Sequence, residues 1–144
     1  MSHFNEKARW ALDYKGIEHV RHSLVPGPHK FRMKKISGQE QVPALRVDDR
    51  VIVGSSAIIE YVEAYRADPP LYPRDPALRK RALDVQAKLD AELGPAARLA
   101  LFHELLTDPS YFASFLTTGQ PLLVRTGYRA IFPLVRGFMG RQMG

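Results

Sequence analysis

The chain contains no cysteine. This absence excludes a disulfide scaffold, a cysteine nucleophile and a thiolate metal site, and it leaves the redox compartment undecided. No apolar run reaches the length of about 18 residues that a transmembrane helix needs, so we expect no membrane partner. The N-terminus is polar, with Glu6 and Lys7 and no apolar stretch, which argues against a signal peptide. A cytoplasmic protein is therefore expected.

Acidic residues are absent after Asp108, whereas arginines continue to the C-terminus. Most of the net charge of +6 comes from this asymmetry, because residues 1–72 are nearly balanced, with 11 Lys and Arg against 9 Asp and Glu. The one short basic cluster, residues 30–35, alternates with apolar residues as an amphipathic helix does. We interpret it as a solvated helix face, so nucleic acid is not an expected partner.

The five histidines are dispersed along the chain. His19 and His22 are three residues apart on a predicted strand and would point to opposite faces of it. No metal site is therefore predicted.

The 144 residues are 45% hydrophobic and 25% charged, a composition typical of a globular chain with one ordinary domain or two small ones. The N-terminal half mixes the helical spacing of three and four with the alternation of strands. Its predicted elements, in order, are a helix over 3–15 ended by Gly16, a strand over 18–25, a helix over 29–37, a hairpin over 42–53 with its turn at 48–50, and a helix capped by Ser55 or Ser56.

The C-terminal half carries no strand signal. Prolines mark residues 68–75 as a linker. From Pro76 to about Leu106, apolar residues recur at intervals of three and four, which predicts a long amphipathic helix bent at Gly94-Pro95. Two more helices are predicted over 108–118 and 121–139, the last interrupted by Gly127 and Pro133. The fold class is thus a small α/β unit followed by an all-helical one.

Three blocks of the N-terminal half resemble the glutathione S-transferase family in order and spacing: Asn5–Ile17, Gln41–Leu45 and Ser55–Val62. The resemblance implies an N-terminal thioredoxin-like domain over 1–67, a linker over 68–75 and a helical C-terminal domain over 76–144. It also implies glutathione as co-substrate, held at the junction of the two domains, and a homodimer.

The resemblance places glutathione against Val42, Pro43 and Ser55, with Gln41 and Ser56 as further contacts. In the family the bond before the proline is cis, and the backbone of the preceding residue pairs with the cysteinyl part of glutathione, like an added rung of a sheet. Taken alone, Pro43 also fits an ordinary proline at the start of a strand. The family uses the serine at the helix start for the γ-glutamyl carboxylate, and a plain N-cap serine is the alternative.

Ser2 occupies the position of the family's thiol-activating residue, just before the first helix. A free thiol has a pKa of about 8.5, so a hydroxyl donating to the sulfur would raise the thiolate fraction at neutral pH. The resemblance therefore implies Ser2 as the catalytic residue. The alternative is that Ser2 only caps the helix.

The sequence departs from the family pattern at several positions. An acidic residue often precedes the helix serine and pairs with the γ-glutamyl ammonium, but Gly54 stands there. His29 and Lys35 are weaker candidates for contacts to the glutathione carboxylates. The family's first strand would precede Ser2, and the helical domain is shorter than is typical, so the thioredoxin-like domain is expected to be incomplete and the helical domain truncated.

The resemblance implies a transferase that conjugates the glutathione thiolate to an electrophilic small molecule, as in detoxification. The alternative is a non-catalytic interaction module with the same fold, or an inactive fragment, as Gly54 and the missing strand suggest.

Residues 121–144 are apolar with arginine as their only charge. We expect them to be an uncovered core face that drives self-association, and a helix in a membrane interface is the other reading.

Overall fold

The computed structural model describes the backbone of residues 2–143 and the side chains of residues 2–137. The elements, in chain order, are α1 His3–Tyr14, α2 His29–Ser37, β1 Ala44–Val47, β2 Arg50–Val53, α3 Ser55–Tyr65, α4 Pro76–Lys88, a π-turn Leu89–Leu93, α5 Gly94–Leu105, α6 Pro109–Leu116 and α7 Leu122–Met143. This order confirms an α/β half followed by a helical half.

The hairpin is an antiparallel pair in which Ala44 lies opposite Val53 and Val47 opposite Arg50. Its two-residue turn places Asp48 at a positive φ of 50°, which aspartate tolerates better than most residues. The predicted hairpin is confirmed, with its turn at Asp48 and Asp49.

The predicted strand over residues 18–25 is wrong. In the described part of the chain, the sheet contains β1 and β2 alone, and a strand needs a hydrogen-bonded neighbour. The segment instead lies against the helical half, where Val25 packs on the core of α6 and α7, and the Gln120 side chain donates to Ser23 O at 3.2 Å. Val20 is 81% exposed, so the alternation does not mark a buried face.

The core of the N-terminal half lies between α1 and α3. Ala8 and Leu12 of α1 pack on Ile58 and Val62 of α3, and the hairpin covers them with partly buried apolar residues. The spacing of four on each helix puts both pairs on one face, as amphipathic helices require. This packing fixes where the first turns of α1 and α3 lie.

A buried ion pair joins the C-terminal ends of the same two helices. The Lys15 side chain is fully buried, pairs with Glu63, and donates to Arg66 O at 2.6 Å and Ala67 O at 3.2 Å. Arg66 donates in return to Lys15 O at 2.6 Å. The polar atoms of this contact are therefore satisfied despite burial.

The long helix predicted after the linker is present, with a π-turn between α4 and α5. Gly94 N–H donates to Leu89 O, five residues back, so the irregularity lies just before the expected bend at Gly94-Pro95. The apolar stripe of this helix is not buried within the chain, since Leu78, Leu89 and Leu93 are each about half exposed.

The second core lies between α6 and α7, where Phe112 and Ala113 pack on Tyr128 and Phe132. Helix α7 runs through Gly127 and Pro133, so the predicted interruption is wrong. Tyr128 and Phe132 lie four residues apart and hold this helix on α6 before the proline, and the partly buried Val135 packs on the same core after it. Part of the expected uncovered face is thus core.

Other apolar side chains of α7 are open to solvent. Leu122, Leu123 and Leu134 are 77%, 86% and 79% exposed. The side chains of Phe138 and Met139, which belong to the same predicted face, lie outside the described residues. Within residues 2–143, every helix is too short or too polar to cross a bilayer.

Candidate functional site

The hairpin brings two of the three sequence blocks together. Because Ala44 pairs with Val53, the residues before β1 lie beside the residues after β2. Gly54 N–H donates to Pro43 O at 2.9 Å and extends the ladder by one bond. Val42 and Pro43, joined by a cis peptide bond, therefore lie at the start of α3 next to Ser55.

Val42 presents unpaired backbone groups at this position. In the part of the chain that the structure describes, its N–H and C=O make no hydrogen bond. Val42 is also half-buried. One free donor and one free acceptor on the same residue suit an extended peptide laid antiparallel to the chain.

Helix α3 begins at Ser55, with Gly54 as its N-cap at a φ of 95° and no side-chain cap. The prediction that Ser55 or Ser56 caps the helix is therefore wrong. Gly54, directly after β2, is the N-cap residue, and both serines lie inside the first turn of the helix. The bond from Ile58 N to Gly54 O at 3.0 Å is the first of the helix. The amides of residues 55–57 precede it and donate no hydrogen bond within the described residues, so they are available to an anion.

The two serines of this turn differ in their surroundings. Ser55 is 5% exposed, whereas Ser56 is exposed and already bonded to other side chains. Ser56 Oγ donates to Asp90 Oδ2 at 2.9 Å and accepts from Gln86 Nε2 at 3.3 Å. Ser56 thus connects α3 to the helical half.

Lys7 and Asp90 form an ion pair beside Ser56. Lys7 Nζ lies 2.6 and 2.8 Å from the two Asp90 carboxylate oxygens and 3.4 Å from Ser56 Oγ. The pair joins α1 to the π-turn across 83 residues of sequence. Sequence reasoning missed both residues, because nothing in the local pattern of either helix indicates so distant a partner.

Ser2 lies at the N-cap of α1, where its backbone O accepts from Asn5 N at 3.0 Å and Glu6 N at 3.1 Å. Its side chain makes no cap bond, so the hydroxyl does not serve the helix. In the described residues it has no hydrogen-bond partner at all. A free hydroxyl at a helix N-terminus is available to donate to an anion.

Gly94 of the helical half holds the first turn of α1. A Cβ at this position would lie 2.8 Å from Phe4 Cζ and 2.9 Å from His3 Nε2. A side chain here would force the ends of the Phe4 and His3 side chains to move, and glycine allows the approach without that shift. The π-turn and the residue after it therefore contact both helix N-termini of the candidate site.

The weaker candidates are placed less favourably. His29 Nδ1 accepts from Gly27 N at 3.1 Å, and burial, with Lys30 adding to it, lowers the pKa of this ring. Lys35 is exposed on α2, and Gln41 is exposed beside Val42. Of the three, Gln41 is next in the chain to the unpaired backbone. In the described residues, no group of three or more His, Asp or Glu side chains could hold a metal ion.

Comparison with known proteins gives consistent matches. Residues 1–70 match the family described as glutathione S-transferase, N-terminal domain. The maleylacetoacetate isomerase of Mus musculus is 37% identical over 94 residues, covering 57% of this chain and 41% of that protein. Glutathione S-transferase Z1 of Arabidopsis thaliana is 42% identical over 84 residues, covering 56% and 37%.

A longer match extends into the helical half. Glutathione S-transferase 1 of Dianthus caryophyllus is 30% identical over 145 residues, covering 94% of this chain and 62% of that protein. The chain spans less than two thirds of the length of each of these relatives. The N-terminal match and these relatives support a member of the glutathione S-transferase family, and the order of elements fits a thioredoxin-like domain followed by a helical one.

Proposed function

We propose that this protein binds glutathione and transfers its thiolate to an electrophilic small molecule. The observation that carries the proposal is the unpaired backbone of Val42 beside the free amides at the start of α3. In this arrangement, the cysteinyl part of glutathione pairs with Val42 as an added strand. Its γ-glutamyl carboxylate lies against Ser55, where the positive helix end favours an anion.

Ser2 is the residue proposed to activate the thiol. Among the described residues its hydroxyl has no hydrogen-bond partner, and it lies at the N-terminus of α1. A hydrogen bond to sulfur stabilises the thiolate relative to the thiol, and the dipole of α1 acts in the same direction. The thiolate then attacks the electrophile and a new carbon–sulfur bond forms as the leaving group departs.

Calorimetric titration with glutathione tests the binding step. We expect saturable binding by the wild-type chain and weaker binding by Ser55→Ala, because the variant loses one donor to the ligand carboxylate. Ser110→Ala is the matched control, since Ser110 lies in the first turn of α6, is exposed, and is remote in sequence from the site. If the folded wild-type protein shows no heat of binding with glutathione, the proposal is contradicted.

A second candidate is isomerisation of maleylacetoacetate. It is favoured by relatives that carry this name, among them those of Mus musculus and Rattus norvegicus. The same thiolate would add to a carbon–carbon double bond, allow rotation about the resulting single bond, and leave again. Product analysis separates the two: conjugation consumes one glutathione per product, whereas isomerisation returns it.

The alternative is a family member that binds but does not catalyse, or an inactive fragment. Glutathione binding without turnover of either substrate type would support it.

We also propose a cytoplasmic homodimer, and the exposed apolar residues of α4 and the π-turn support self-association. Analytical ultracentrifugation over a range of concentrations tests the oligomeric state.

A further inference from the structure

Helix α7 faces the core on one side and solvent on the other. Tyr128 and Phe132 pack against α6. At about 3.6 residues per turn, positions 123, 130 and 134 lie on the opposite side of the helix. Leu123 and Leu134 are 86% and 79% exposed, so this side is uncovered within the described chain. We call it the outer face, and its exposed apolar residues are Leu122, Leu123, Ala130, Ile131 and Leu134.

Three arginines form a row along one border of the outer face. The spacing of Arg125, Arg129 and Arg136 puts them on one side of the helix. All three are exposed, and Arg129 also donates to Ser114 Oγ at 2.9 Å. The sequence has no acidic residue after Asp108, and among the described residues none of the three arginines pairs with a carboxylate. The row is therefore an uncompensated positive charge beside an apolar surface.

The outer face is continuous along the helix. Helix α7 runs unbroken through Gly127 and Pro133, where the sequence predicted an interruption. An interrupted helix would have split the face into two short pieces. Leu122 and Leu134 instead belong to one surface and lie about 18 Å apart along the helix axis.

The charge of this surface selects among the partners that could cover it. A second copy of the chain would bring the same arginine row and no acidic residue of its own α7, so like charges would meet. An anionic membrane surface instead offers phosphates to the arginines and an apolar boundary to the leucines. The long arginine side chains can reach headgroup phosphates while the apolar face is buried below them.

We propose that the outer face of α7 binds the surface of a membrane that contains anionic lipid. The helix lies parallel to the membrane plane, with Leu123 and Leu134 in the interface and the arginine row at the level of the phosphates. The contact is made from one side of the membrane, since within residues 2–143 no helix is long and apolar enough to span it. Membrane binding of this kind does not depend on glutathione, and it is an alternative to the self-association that the sequence favoured for residues 121–144.

Co-sedimentation of the whole chain with vesicles tests the proposal. We expect binding to vesicles of phosphatidylglycerol and phosphatidylcholine in equal parts, release in high salt, and little binding to phosphatidylcholine alone. An arginine near an anionic surface contributes about fivefold in affinity, so a triple variant should bind about a hundredfold more weakly. That variant is Arg125→Gln, Arg129→Gln and Arg136→Gln.

The matched control removes three positive charges from α2 instead. It is Arg32→Gln, Lys34→Gln and Lys35→Gln, and all three side chains are exposed. The control should bind anionic vesicles nearly as well as the wild type, because its net charge changes equally while α7 is untouched. Circular dichroism establishes that each variant is folded.

A fluorescence measurement reports on the outer face itself. Trp10 is the only tryptophan of the chain, so Trp10→Phe with Leu123→Trp places a single indole on α7. Its emission should shift to the blue with anionic vesicles, because the indole leaves water for the interface. Trp10→Phe with Leu99→Trp is the control, since Leu99 is half exposed on α5 and the emission there should stay unchanged.

The proposal is overturned if the wild type does not bind anionic vesicles, or binds phosphatidylcholine alone equally well. An equal loss of binding in the α2 control overturns it too, since net charge would then be the cause. Binding without a blue shift from the α7 indole would place the contact elsewhere on the protein. Oligomers that are abolished by Leu123→Gln with Leu134→Gln, in a chain that does not bind vesicles, would assign the outer face to a second copy.

Discussion

Replacing Lys15 with methionine removes the buried cation between α1 and α3. Lys15 lies among buried groups, with its side chain fully buried and its Glu63 partner 12% exposed. The substitution leaves Glu63 with the more distant Arg79, at 3.9 Å, as its cation, and leaves the carbonyls of Arg66 and Ala67 without this donor. Breaking a buried pair in this way costs about 3–5 kcal/mol, a large part of the roughly 5–15 kcal/mol of a typical domain.

Urea denaturation followed by circular dichroism measures this loss as a change in the free energy of unfolding. Lys80→Met is the control, because its pair with Asp84 is exposed and should contribute little. The double variant Lys15→Met with Glu63→Gln should recover part of the stability, since it removes the unpaired charge and keeps an acceptor for Leu71 N–H. A loss below about 1 kcal/mol for Lys15→Met would refute the reasoning.

Three further predictions concern the site and the same ion pair. Ser2→Ala should lower turnover about ten- to a hundredfold with glutathione affinity nearly unchanged, since one hydrogen bond to a thiolate is worth roughly 1.5–3 kcal/mol; steady-state kinetics measures both, and equal turnover would exclude thiol activation by Ser2. Gly94→Ala should destabilise the protein by about 1–3 kcal/mol, because its Cβ meets Phe4 Cζ at 2.8 Å, and an unchanged thermal midpoint would contradict this. Burial raises the pKa of Glu63, but the bonds from Lys15 and Leu71 N–H more than offset it, so the pKa lies below its usual range. A depressed carboxyl pKa stabilises the fold above the unfolded-state pKa, and this contribution is lost as the pH falls through the folded-state value. The free energy of unfolding, measured by denaturation at pH values from 6 downwards, should therefore decrease less steeply with falling pH for Glu63→Gln than for the wild type.

The parts of the fold that follow local patterns were predictable from the sequence. The spacing of apolar residues predicted α1, α2 and α3, and the alternation around Asp48 predicted the hairpin. The strand over residues 18–25 failed because alternation alone does not supply a neighbouring strand. Periodicity also carried an unused signal: Lys15 follows Ala8 and Leu12 on the buried face of α1, at intervals of four and three.

The candidate site was only partly predictable. The family resemblance identified Val42, Ser55 and Ser2, but not whether their polar groups are free. The contact of Asp90 with Lys7 joins residues 83 apart and depends on how the π-turn packs against α1 and α3. Such a contact depends on tertiary packing, so no local pattern in the sequence predicts it.

Amide chemical shifts on titration with glutathione test the central claim most directly. A two-dimensional nitrogen–proton NMR spectrum of the whole chain reports each backbone N–H separately. The account predicts the largest shifts at Val42 and at residues 55–57, with the amides of α6 and its neighbours in the second core little changed. Shifts confined to the helices after residue 94, or none at millimolar glutathione, would contradict it.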